Sequence, residues 1–164
     1  MAERLRGLVL FATFSGDVVR DAPQNRMQIP LLRLGLIQRA IASDSLGMLF
    51  GASLCGEQPS PAMVRVFLED FSAQDHRALL PILEAFADED RIDRIGEIAV
   101  PTVVICGRSD NTTPPWQSER LAEGIRGARM VWVEGAGHML NWEAPEALVE
   151  AVESLSRPPV GSSA

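Results

Sequence analysis

Two cysteines in 164 residues, Cys55 and Cys106, are too few for a disulfide scaffold or a cysteine-built metal site. Cys106 also falls inside the apolar run PTVVIC, where a thiol acts as a small buried hydrophobe. Positive charge is scarce too: the net charge is −7 and the pI about 4.8, which argues against nucleic acid or an anionic membrane surface as a partner. No stretch approaches the ~20 apolar residues that a bilayer requires, so no membrane-spanning helix is predicted. The start, MAERLRGLVLFATFSGD, has the basic-then-apolar order of a signal peptide. Glu3 interrupts the basic part, however, the run is short and no small-x-small cleavage site follows, so it reads as a strand and the expected location is cytoplasmic. Internal repeats are missing. No G-x-G-x-x-G opens a helix, which disfavours a dinucleotide-binding domain; Gly135-Ala136-Gly137 leads straight into His138.

What is present is a soluble globular composition, 46% apolar with a mean hydropathy of +0.06, and a length that fits one domain with a real core. The most informative stretch is 98–143. It holds two short apolar runs, Thr102 to Cys106 and Ala128 to Glu134, each ending in a polar loop with one candidate catalytic group. Buried parallel strands read this way, and they deliver side chains at their carboxyl ends. Between the runs, Thr113 is the expected N-cap and Pro114 and Pro115 sit where backbone donors would be unpaired anyway; Trp116, Leu121, Ala122 and Ile125 form the apolar face. A right-handed crossover of this kind makes the two strands parallel and brings Asp110 and His138, 28 residues apart, to the same sheet edge.

Elsewhere, residues 5–13 read as a strand buried on both faces. From Phe14 to about Glu97 the period turns helical. Two helix-like stretches fill 27–50, with breaks near Gly35 and at 43–47. Ser60 and Pro61 are set to cap and open a helix whose face is Val64, Phe67, Leu68 and Phe71. Another helix covers 75–87, kinked or restarted at Pro81. The acidic run 88–97 has Ile92 where a calcium loop needs an oxygen ligand and Asp93 where it needs glycine, so it reads as a solvated connector. Pro145 opens a last helix with Leu148, Val152 and Leu155 on one face.

PTVVICGRSDNTTPP followed by ARMVWVEGAGHMLNWEAPE resembles the carboxyl-terminal third of an α/β-hydrolase, with a PTLVIxGxxDxxTPP segment and a GAGHxxxxExPE segment. The match is good over 98–156 and moderate over 4–14. It implies an α/β fold, a truncated α/β-hydrolase with about three parallel strands, flanking helices and an all-helical cap. On this reading 1–14 is a core strand, 15–97 the cap, 98–156 the core bearing acid and base, and 157–164 a flexible tail. It also implies Asp110 as the triad acid, His138 as the general base, a small hydrophobic substrate and no cofactor. The chemistry is coherent, because a carboxylate on one imidazole nitrogen fixes the tautomer and stabilises the imidazolium. Against these roles stand plainer ones: a loop histidine is by default a polar surface group, and GRSDNTTPP could be an Asx turn capping a helix. His76, the other histidine, reads as surface.

The family's nucleophile has no counterpart. G-x-S-x-G is absent; Ser53 in GASLCG lacks the second glycine and a preceding strand, and Ser15 in FATFSGD has Phe14 in place of the first glycine. The resemblance therefore implies a chain without the first strands, the oxyanion loop and the elbow, and so inactive alone. An unpaired strand edge at 5–13 is then expected to promote self-association. A non-catalytic binding protein, or a half that complements a separate chain, remains open beside a hydrolase piece.

Overall fold

The computed structural model describes residues 4–16, 27–88 and 90–156. Three parallel strands form one sheet in the order β1 (Leu8–Phe11), β2 (Thr102–Gly107), β3 (Arg129–Val133). Leu8 pairs with Thr102 and Val103 with Arg129, so the carboxyl ends of all three strands share one rim. Every residue of β2 is buried, because strands flank both its edges and helices cover both its faces. On one face, Val103 and Ile105 pack with Leu140, Leu148, Ala151 and Leu155 from α7 (Leu140–Glu143) and α8 (Pro145–Ser156). On the other, Val104 packs with Leu121 and Ile125 at α6 (Pro115–Gly124) and with Ile95 of a 3₁₀ turn (Ile92–Glu97). The expected α/β architecture of three parallel strands with flanking helices is what the chain forms.

Between β1 and β2 lies a helical segment: α1 (Gln28–Arg33), α2 (Leu36–Ile41), α3 (Asp44–Ser53), α4 (Pro61–Ser72) and α5 (His76–Asp88). Gly35 separates α1 from α2 at a φ of 68°, a left-handed conformation that glycine adopts without steric cost. Ser60 caps α4 by accepting from the Met63 amide at 3.5 Å, with Pro61 at the first helical position as its sequence predicts. Val64 is buried, and Phe67 and Phe71 stack 5.4 Å apart on the same face.

Several local expectations shift. The first strand is four residues rather than nine, and it is half-exposed because only one of its edges is paired among the described residues; Phe11 is 39% exposed. Residues 27–50 hold three helices. Gly47 lies inside α3 rather than at a break, and it packs so closely on α2 that a Cβ there would meet the Ile41 carbonyl oxygen at 2.6 Å. The α5 helix runs through Pro81 without a second start. The acidic connector folds into the 3₁₀ turn and buries Ile95. In α8 the buried position is Ala151, while Val152 is 54% exposed, one step round the helix. The predicted tail at 157–164, residues 17–26 and the side chain of His76 lie outside the described residues. Among the described residues, no helix is long and apolar enough to cross a membrane.

Candidate active site

β2 ends at Gly107, and the chain then turns through Arg108 and Ser109 to Asp110, whose side chain is fully buried. Its two oxygens have separate duties. Oδ1 accepts from the backbone amides of Thr112 at 2.8 Å and Thr113 at 2.9 Å, which folds the loop into an Asx-type turn. Oδ2 accepts from the Thr113 hydroxyl at 2.8 Å and faces His138 Nδ1 at 3.0 Å. The Asx turn and the acid–imidazole pair, alternatives in the sequence, are therefore one arrangement built from two oxygens, although the turn places no side-chain cap on α6. Thr113 is not the N-cap of α6: Pro114 takes that place, and Thr113, buried, gives both its amide and its hydroxyl to Asp110.

His138 reaches the same rim from β3 through Glu134–Gly137. Gly135 supports the turn at a φ of 70°. The His138 side chain is 27% exposed. A carboxylate can only accept, so Nδ1 carries the proton when the pair is bonded and Nε2, on the far side of the ring, carries the lone pair. Thr113 Oγ1 also lies 3.3 Å from Nδ1. Structure thus unites the two candidates that the sequence singled out.

The rejected serines stay outside this pair. Ser53 Oγ donates to the Phe50 carbonyl at 2.7 Å. Ser15 is buried, with its backbone carbonyl accepting from the Arg91 amide at 3.2 Å.

Two features escaped sequence reasoning. A cavity of about 810 Å³ opens between the helical segment and the Asp110 loop, lined by Leu31, Leu36, Ile37, Phe50 and Leu54 together with Asn111 and Thr112. Its apolar lining comes from helices whose period marked them only as amphipathic. The second is Glu143, whose carboxylate oxygens accept from two backbone amides, Gly56 at 2.6 Å and Gly137 at 3.0 Å. The partners of Glu143 lie on loops that sequence spacing does not connect. Beside it, burial, and secondarily the Glu143 charge, push the Cys55 thiol up to about 11. Burial also raises Cys106. Among the described residues, no group of three or more His, Cys, Asp or Glu is placed to hold a metal ion.

Comparison with known proteins agrees with this fold. The esterase EaEST from Exiguobacterium antarcticum superposes with a TM-score of 0.74 at 20% identity, over 93% of this chain and 57% of its own. A 2-hydroxy-6-oxononadienedioate/2-hydroxy-6-oxononatrienedioate hydrolase from Paraburkholderia xenovorans is 43% identical over 53 residues, 32% of this chain and 18% of that protein. The 3-oxoadipate enol-lactonase 2 of Acinetobacter baylyi is 28% identical over 100 residues, 61% of this chain and 37% of its own. The chain thus spans little more than half of that solved structure and a smaller share of those curated relatives. The model of the alpha/beta hydrolase family matches residues 1–151, and the chain belongs to that family.

Proposed function

We propose that this chain carries the acid–base part of an ester-type hydrolase acting on a small hydrophobic substrate. His138 is the general base, Asp110 orients it, and the helices of 27–88 serve as a cap over the apolar cavity. The reading is carried by one observation: a fully buried carboxylate 3.0 Å from an imidazole nitrogen, at the rim where all three strands end. In that arrangement Nε2 would take a proton from a nucleophile and Asp110 would stabilise the resulting imidazolium. Thr113 is not that nucleophile, because its hydroxyl sits on the Nδ1 side and donates to Asp110. Without G-x-S-x-G in the sequence, the nucleophile and oxyanion donors are supplied from outside these 164 residues. Asp110 and His138 alone then give no turnover. The test is hydrolysis of a short-chain chromogenic ester by the purified chain and its His138→Ala variant. No difference from background is expected in either; cleavage that disappears with His138 would overturn the assignment of an external nucleophile. The unpaired thiols Cys55 and Cys106 fit a reducing, cytoplasmic setting.

A second reading, a non-catalytic binding or complementing protein, is favoured by the cavity and by β1, which pairs on one edge only among the described residues. An open strand edge recruits other chains. Concentration-dependent association of the chain that weakens in Phe11→Lys would support it; a monomer at all concentrations would remove the association through β1.

A further inference from the structure

Glu143 stands at the last position of α7 and is half-buried between two loops that are far apart in sequence. One loop leaves α3 at Leu54–Glu57; the other, Gly135–His138, carries the candidate base. Their backbones meet directly: the His138 amide donates to the Leu54 carbonyl at 2.8 Å, and the Glu57 amide to the Gly135 carbonyl at 2.8 Å. The contact leaves no room for side chains. A Cβ on Gly56 would lie 1.8 Å from the Gly135 oxygen, and one on Gly137 2.3 Å from the Cys55 carbonyl carbon. Across the stack, Glu143 takes the Gly56 amide on one oxygen and the Gly137 amide on the other.

We propose that Glu143 is a positioning residue for the His138 imidazole, acting through Gly137 and the Leu54–Glu57 loop rather than by touching the ring; this rests on the reading of His138 as the base. Only a carboxylate suits the place. Both groups facing it are N–H donors, so a glutamine would turn its own NH₂ toward one of them. Charge-assisted bonds to amides are also the stronger kind. Gly137 is the residue next to His138, so releasing its amide lets the peptide that carries the imidazole tilt away from Asp110 Oδ2. Displacements of about 1 Å at such a pair cost roughly a hundredfold in rate. Because Gly56 belongs to the exit of α3, the same carboxylate ties the helical segment that lines the cavity to the base.

The chain has only two histidines, so His76 is an internal control for His138 in ¹⁵N NMR of the ring nitrogens. In Glu143→Gln, the amides of Gly56 and Gly137 are expected to exchange about tenfold faster or more. The His138 ring signals should shift away from the Nδ1–H form, with His76 unmoved. Faster amide exchange with His138 ring signals identical to wild type would make Glu143 a structural staple only and overturn the proposal. Should the glutamine variant fail to fold, Glu143→Asp, one methylene short of both amides, takes its place with the same two readouts. Asp110→Asn is the separate arm: an unchanged His138 ring there would remove the acid–base pair itself, and this proposal with it.

Discussion

The sheet core and the helical segment use apolar residues in opposite ways. In β2, Val103, Val104, Ile105 and Cys106 are at most 2% exposed, enclosed by strands and by a helical layer on each face. In the helical segment, Leu34 is 69% exposed, Leu49 68% and Leu46 55%, and much of the remaining apolar surface lines a cavity. The difference separates two jobs. The core holds a carboxylate and an imidazole to within a hydrogen bond, which needs dense packing, whereas the helices surround open space, which needs apolar surface that nothing fills.

The sharpest way to break that contrast is to truncate one side chain of each kind. Ile105→Ala, in the middle of β2 with no exposed surface, is expected to cost about 2–5 kcal/mol. Leu34→Ala should stay within about 0.5 kcal/mol, as for an exposed site. Urea unfolding of both variants measures the gap; equal losses would mean that the helical segment is as tightly built as the sheet.

Glycines give the next comparison. Gly107 ends β2, and a Cβ there would lie 2.3 Å from the Ala136 carbonyl and 2.4 Å from that of Gly137. Both obstacles are backbone, in the loop that carries His138. Gly107→Ala should therefore cost about 1–3 kcal/mol and disturb the His138 ring signal. At Gly51 in α3 the nearest atom is Cγ1 of the buried Val64 at 2.6 Å, a side chain of the neighbouring helix α4 rather than backbone of the His138 loop. Gly51→Ala is expected to loosen the α3–α4 contact and to leave His138 in place. Thermal unfolding together with the histidine spectrum checks both.

These same regions differ in how much of them could be read from the sequence. β2 was legible because a strand buried on both faces has to be a continuous apolar run, and Asp110 and His138 were legible because each punctuates such a run. Thr113 was misread for a local reason: before two prolines it has every mark of an N-cap, and only the buried Asp110 side chain diverts its amide and hydroxyl. The sequence pattern puts Val152 on the buried face of α8 because periodicity favours the larger apolar side chain, whereas the face against β1 and β2 takes Ala151. Gly47 falls within the break that the sequence predicts at 43–47 and is instead a packing contact with α2. Glu143 is a fixed position of the GAGHxxxxExPE segment, yet its role was not legible, since its two amide partners lie 87 and 6 residues away on loops that only the folded chain brings together.

The smallest effect concerns the two thiols, one in each region. Cys106 has no exposed surface at the end of β2, whereas Cys55 is 6% exposed and lines the cavity. Alkylation should therefore reach Cys55 through local motion and Cys106 only on global unfolding, a difference that peptide mass spectrometry resolves. The raised pKa of both thiols slows alkylation by keeping them protonated, and for Cys55 the sign of its contribution to stability is fixed. Its thiol goes from an ordinary value of 9.0 to about 11 on folding, so the fold favours the protonated form. That preference is fully present below pH 9 and is lost as pH rises toward 11. Cys55→Ala should flatten the alkaline fall in melting temperature between those values, leaving the part due to Cys106 behind. An unchanged slope would mean that the cavity wall admits water freely to Cys55, and that the helical segment is looser around the His138 loop than its backbone contacts imply.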